Sequence, residues 1–265
     1  VVSAFLMMEL NNSNALIRIY SRMVSCSFIV LAVMAYFLFV DIKCGIVQTC
    51  FIAFYLFLFT TYQSRASVGR VFYAFAMLGI ASIYYVQILF FIPVIWVLMA
   101  TNIMNGCARV YVASLLGLLL PYWFATGYYA FTDQISLIGD HFTALLDFDS
   151  QSVWLDIPLV QIVTIVFIAL LAVVGMINFR LNNYRDKIRT RMLFDFFSVM
   201  IIFTMIFMIL QPTNMHFLLA MLIVSASPLI GHFISLTNSL ITNLIFCFML
   251  VATLALTVCN VWIQF

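Results

Sequence analysis

Apolar positions in this chain fall in long unbroken runs, and polar ones gather in short clusters between them. Uncharged runs cover 24–40, 46–61, 71–100, 110–131, 158–179, 216–234 and 240–265. One more, 192–211, carries a single charge at Asp195. A helix crossing the hydrocarbon core of a bilayer needs about 20 apolar residues. The run 71–100 is too long for one crossing, since a straight helix of that length extends about 45 Å against a core of about 30 Å. It predicts two short crossings, or a re-entrant pair, turning near 84–87. The same reasoning divides 24–61 at 41–45, and residues 1–8 read as the last part of another span. The pattern predicts an all-α fold: a polytopic transmembrane helical bundle of about nine full spans plus an N-terminal remnant, in a single integral membrane domain.

Composition points the same way. Hydrophobic residues make up 66% of the 265 residues, only 8% are charged, and mean hydropathy is +1.20. A typical soluble domain carries about 25% charged residues, and a core of this size cannot bury so much apolar surface. Soluble enzymes, disordered chains and nucleic-acid-binding domains are excluded, and a net charge of +2 is too small to imply nucleic acid. The six cysteines form no CxxC pair and no Cys/His cluster, so no metal site and no cofactor is predicted. Cys44 and Cys50 read as free thiols. P-loop, GxGxxG, HExxH and GxSxG patterns are absent.

Charge placement orients the spans. Segment 180–191 holds five of the eleven cations and is expected to be cytoplasmic. Segment 132–157 holds Asp133, Asp140, Asp147, Asp149 and Asp156 with no Lys or Arg, and is expected outside. Arg18, Arg22, Arg65, Arg70 and Arg109 also want the inside, which the folded-back pair in 71–100 permits. On that count 211–214 and the C-terminus lie outside and 237–239 inside. Within 132–157 the apolar residues Ile135, Ile138, Phe142 and Leu145 recur at helical spacing, predicting an interfacial helix on the outer surface. Trp154 and the pair Tyr122 and Trp123 suit the aromatic belt.

Two clusters are candidates for chemistry. In ELNNSNALIRIYSR, Asn12 or Ser13 is a plausible N-cap, and Asn11, Asn14, Arg18 and Arg22 follow at spacings of 3, 4 and 4. One helix face would then carry two amides and two guanidiniums, groups that bind phosphate or carboxylate oxygens. The plainer reading is an anchor whose arginines snorkel to lipid phosphates. In the outer segment, Asp140 or Asp147 is a candidate general base for transfer to or from a lipid-linked substrate. Asp140 and His141 with Asp147 or Asp149 are alternatively a cation site, or simply a solvated acidic loop. Asp195 is expected to pair with Arg191 four residues before it. His216 and His232 lie at opposite ends of one span, about 24 Å apart, and each is expected to cap a helix end or face an interface. Pro121, between Gly117 and Gly127, either opens a cavity or serves packing. Ser227 and Gly231 carry the same ambiguity.

The segments ELNNSNALIRIYSRM, TYQSR ahead of a short helix pair, and GLLLPYWFATGY together resemble an uncharacterised family of multi-span inner-membrane proteins from Bacteroidota, a domain of unknown function. The resemblance runs from Glu9 to about Phe131. It implies a bacterial inner-membrane location and carries no catalytic residue across. Three functions fit the sequence. One is a glycosyltransferase-like enzyme on a polyprenyl-phosphate type substrate, with membrane lipids as its surroundings. Another is a transporter or flippase with a midplane cavity lined by groups such as Gln48, Thr49, Gln161 or Asn243. A third is a non-catalytic scaffold that docks partners through small-residue faces such as Ser227 and Gly231.

Overall fold

The computed structural model describes residues 1–64, 67–134, 136–146, 157–236 and 240–262. Among them there are helices and no strand. In chain order the α-helices are α1 (Val2–Asn14), α2 (Met23–Met34), α3 (Ile42–Phe59), α4 (Val68–Tyr84), α5 (Ile92–Thr101), α6 (Ala108–Phe131), α7 (Ser136–Thr143), α8 (Leu159–Asn182), α9 (Ile188–Leu210), α10 (Met215–Leu236) and α11 (Leu240–Trp262). Six of these, α3, α6, α8, α9, α10 and α11, are long and apolar enough to cross a membrane. The chain is an all-α, multi-pass membrane protein. Of the nine expected full spans, the other three correspond to shorter apolar helical segments, Met23–Met34, Val68–Tyr84 and Val86–Thr101. Short crossings are expected in both folded-back stretches, and α2 is shorter still. The run 24–40 is broken at Ala35 (φ −89°, ψ 51°), and the backbone continues as a 3-10 turn over Tyr36–Val40. The helical part, α2, has 12 residues and extends only about 18 Å.

The chain groups into two compact units: Val1–Gly45 with Asp149–Phe265, and Ile46–Phe148. In the first, α10 is the hub. It is apolar all round and nearly all of it is buried, as expected of a helix enclosed on every side. Helices α2, α8 and α9 pack around it. Helix α2 runs antiparallel to α10 and approaches closely, because Gly231 has no side chain. A Cβ built there would lie 2.9 Å from the Val24 backbone. Ser27 adds a hydrogen bond from its hydroxyl to the Ser227 carbonyl at 2.9 Å. The small-residue face at Ser227 and Gly231 is therefore occupied within the chain, which removes it as a docking surface for a partner. At the far end of this unit Asn260 donates to the Met34 carbonyl (3.0 Å) and to the Thr164 hydroxyl (2.8 Å), tying α11 to α2 and α8. Interhelical polar pairs of this kind hold membrane helices that gain nothing from apolar contact alone. The outer side of α11 stays uncovered. Leu240, Leu244, Phe248, Val251, Leu254, Val258 and Trp262 are all more than half exposed and recur every three or four residues. Such a stripe faces lipid, since a water-soluble chain rarely exposes one so long.

In the second unit, 71–100 is folded back as its length required. Helix α4 ends at Tyr84, Tyr85 leaves the helical region (φ −136°, ψ 89°), and a 3-10 turn over Val86–Phe91 leads into α5. The return is closed at the other end. Gln63 N–H donates to the Ile103 carbonyl (3.0 Å) and Asn105 donates to the Ser67 hydroxyl (3.0 Å). Arg70, which donates to the Thr60 carbonyl, and Arg109 share that end, while α7 sits at the end where α4 finishes. Helices α4 and α6 run parallel in close contact. Gly79 meets Leu118 and Pro121, and Gly117 meets the Phe72 carbonyl. Pro121 thus serves packing, its ring filling the notch that Gly79 leaves. Phe51, Phe54, Tyr55, Phe59 and Phe75, all fully buried, form the aromatic core of α3 and α4.

The interfacial helix expected over 132–157 is described only in its first half. It appears as α7 and a 3-10 turn over Ala144–Leu146. Ile138 is half-buried and Phe142 lies against Tyr122 with ring centroids 5.3 Å apart. Arg65, Ile135, Asp147, Asp149, Trp154, Asp156 and the turn at 237–239 lie outside the described residues. Asp195 does not pair with Arg191. Its carboxylate lies 3.6 Å from Arg180 of the neighbouring α8. The base-before-acid order is the poorer i,i+4 orientation, and the end of α8 runs alongside.

Candidate functional site

The helix predicted to carry Asn11, Asn14, Arg18 and Arg22 on one face is not formed. Helix α1 runs through Asn11 to Asn14 and stops there, because Ala15 is left-handed (φ 47°, ψ 50°) and its N–H caps the Asn11 carbonyl. Residues 15–22 are a loop. The two amides are inside it and largely committed. Asn11 donates to the Ser21 carbonyl (2.9 Å), closing the loop, and Asn14 donates to the Leu10 carbonyl (3.1 Å). The Asn14 oxygen accepts from Arg189 of α9 at 2.8 Å. The Asn11 oxygen is buried without a hydrogen-bond partner. Arg18 and Arg22 are both exposed. What the structure brings together at this end is therefore a loop and a helix start. Arg18 and Arg22 project from the loop, with Arg189 near its root.

The same end holds an unforeseen pair. Asp186, between α8 and α9, accepts a hydrogen bond from His232 Nε2 at 3.0 Å, and both side chains are 3% exposed. The His232 ring is set edge-on between Phe179 of α8 and Phe194 of α9, with centroids 5.2 and 5.1 Å away. Because the carboxylate can only accept, Nε2 carries the proton, leaving Nδ1 buried with no partner. So enclosed a dyad reaches no substrate, and its role is to lock the α8–α9 connection onto α10. His216, at the other end of α10, lies against the Phe37 ring (5.6 Å), an interface role as expected.

Beside the arginine loop an apolar cavity of about 220 Å³ opens between α2, α8, α10 and α11. Its wall includes Met23, Cys26, Val30, Leu171, Ile234 and Met249. The hydroxyls that border it, Ser27 and Thr253, donate to backbone carbonyls, so none remains to seek a ligand. Arg22 is the N-cap of α2, directly before the cavity residue Met23. A single strip of backbone thus joins an exposed cation to a greasy groove.

The second unit holds a different cavity, of about 300 Å³, under α7. Tyr122, Thr126 and Tyr129 line it from one face of α6, Ile83 from α4, and Ile138 and His141 from α7. His141 Nε2 donates to the Ser82 carbonyl at 3.1 Å. Burial pushes its pKa below the ordinary histidine value, against the smaller opposing effect of that bond. Asp140, one residue away, is exposed and does not line the cavity. Its proposed partner Asp147 is outside the described residues, so the two are not seen together. The spacing of Tyr122, Thr126 and Tyr129 at 4 and 3 was the available signal for this cavity, a polar stripe on an otherwise apolar helix.

The state of His141 sets a pH dependence. Tyr122 faces it from α6, only the Ser82 carbonyl from α4, and Phe142 and the exposed Asp140 flank it on α7. A histidine lowered in the folded state stabilises docking in full above its unfolded pKa of about 6.5. That contribution falls away as pH drops through the lowered value. Amide exchange in α7, relative to that in α6, is expected to speed up as pH falls below the unfolded histidine value of about 6.5, and to lose this dependence in His141→Phe. A pH-independent α7 in the wild type would contradict it.

Compared with known proteins, the chain matches no family model, no curated protein and no solved structure.

Proposed function

We propose that the protein binds an anionic lipid, of the polyprenyl-phosphate type, in a bacterial inner membrane. The phosphate sits at the Arg18–Arg22 loop and the hydrocarbon chain in the adjoining groove. Segment 180–191 is cytoplasmic in this reading and 132–157 periplasmic. The observation that carries it is the adjacency of Arg22 and Met23: a guanidinium in the headgroup layer and, one residue on, the mouth of an apolar cavity. Guanidinium donors suit phosphate oxygens. An apolar cavity of about 150 Å³ holds a benzene ring, so 220 Å³ has room for about nine carbons of a chain. The commitment of Asn11 and Asn14 to backbone carbonyls narrows the polar part of the site to the arginines. Transfer chemistry at Asp140 draws no support from its exposed position, and the transporter reading draws none from Gln48, Thr49, Gln161 or Asn243, which line neither cavity.

The test compares undecaprenyl phosphate with undecaprenol, in vesicles of otherwise neutral lipid. The phosphate form is expected to bind more tightly. Arg18→Gln with Arg22→Gln reduces that preference about tenfold, the equivalent of about 1.4 kcal/mol. Val30→Trp, which fills the groove from its half-exposed wall, weakens both lipids alike. Equal binding of the two lipids by the wild type, or indifference to all three substitutions, would overturn the reading.

A further inference from the structure

The cavity beneath α7 is chemically unlike the groove of the other unit. Among the described residues no Asp, Glu, Lys or Arg lines it, so they suit neither a phosphate nor a metal ion. Instead two phenol rings, a threonine hydroxyl and an imidazole meet around aliphatic walls. The Tyr122 hydroxyl is buried against Ser82, so Tyr122 offers the cavity its ring, and Thr126, Tyr129 and His141 supply the polar groups. Ser82 has turned its own hydroxyl to the Gly79 carbonyl. With Nε2 of His141 held by the Ser82 carbonyl, the other ring nitrogen is left as an acceptor. Donors and acceptors thus alternate around a space walled by flat rings. Ligand cavities have this character: mostly apolar, with a few converging polar groups that fix orientation.

Size narrows the ligand. On the scale where about 150 Å³ holds the six carbons of benzene, about 300 Å³ holds about twelve non-hydrogen atoms. A single six-carbon sugar has that many. It also presents an apolar ring face to tyrosine and hydroxyls to a rim of donors and acceptors. We infer that the cavity between α4, α6 and α7 is a binding site for one neutral monosaccharide unit, held by Tyr122, Thr126, Tyr129 and His141. The inference is independent of the anionic-lipid reading, which concerns other helices. A free sugar and the glycosyl head group of a lipid offer the same chemistry.

The full chain in nanodiscs of sugar-free lipid is the material for the test, with methyl glucoside as the probe. Saturation transfer from protein to the sugar ring protons is expected. Cyclohexanol, of similar shape but with one hydroxyl, and glucose 6-phosphate should each compete at least tenfold more weakly. Thr126→Val and Tyr129→Phe keep the shape of their side chains and remove one hydroxyl each, and each should weaken binding about fivefold. Ala125→Trp, from the cavity wall, should abolish transfer. Should that variant fail to fold, the two conservative ones still decide the matter. Glucosyl-diacylglycerol added to the nanodiscs separates the sources. Displacement of methyl glucoside means that the sugar arrives on a lipid, and no displacement means that it arrives free; either supports the site. Absence of transfer to methyl glucoside, equal competition by cyclohexanol, or wild-type binding in both conservative variants would overturn it.

Discussion

Replacing Asp186 by alanine is expected to lower the stability of the larger unit by about 1–3 kcal/mol, the range for leaving a buried donor unsatisfied. In detergent this corresponds to a fall of about 2–12 °C in melting temperature. The cause is the enclosure of His232. Its ring is wedged between Phe179 and Phe194, and Nδ1 already lacks a partner. Removing the carboxylate leaves Nε2–H unsatisfied as well, in a site that water does not enter. The double variant Asp186→Leu with His232→Phe is expected to recover most of the loss, since apolar replacements of similar volume often match a buried pair. It sets a third ring between two others. A single variant that melts like the wild type would show that the α8–α9 connection is held by other contacts.

Gly231→Leu is expected to be at least as damaging, for a steric reason. The nearest atoms to a Cβ at this position are the Val24 Cα and N at 2.9 Å, followed by the Met23 carbonyl carbon at 3.1 Å. These are backbone atoms and have no rotamer with which to yield. Helix α2 must move off α10, breaking the Ser27–Ser227 bond and opening the groove beside it. Overpacking typically costs about 1–3 kcal/mol and sometimes more, so Gly231→Ala belongs in that range and leucine above it. Gly127→Ala and Gly45→Ala are the controls. Nothing lies within 4 Å of a Cβ at either position, and both are helical. Each is expected to be neutral or to stabilise by up to about 1 kcal/mol through helix propensity. Equal melting temperatures for Gly231→Leu and Gly127→Ala would contradict the packing argument.

The all-α membrane class and the positions of the long apolar helices were readable from hydropathy because uncharged runs and polar breaks are local properties. The reversal near Tyr85 was readable too, since a 30-residue run exceeds what one crossing can use. Other features have no local signature. Ala15 stops α1 in a left-handed conformation that glycine, not alanine, usually marks, so the spacing of Asn11, Asn14, Arg18 and Arg22 looks helical where the backbone is not. The short α2 is concealed because Tyr36–Val40 is as apolar as the helix before it. The Asp186–His232 pair spans 46 residues of sequence, and no periodicity relates positions so far apart. Arg180 displaced Arg191 as the partner of Asp195 through an interhelical contact, again invisible to spacing. At the candidate sites burial and orientation, which spacing does not show, decide which of the expected residues are exposed.

One consequence lies in the order of synthesis. The larger unit takes its first 45 residues from the start of the chain and the rest from beyond Asp149, with the smaller unit inserted between. Helix α2 therefore leaves the ribosome about 180 residues ahead of α10, a delay of about 10–40 s at ordinary elongation rates of about 5–20 residues per second. The inserted helices have all their neighbours at hand and can assemble during that interval. For that time α2 is a half-length apolar helix without its lock, so the newborn chain is most vulnerable to quality-control proteases before α10 arrives.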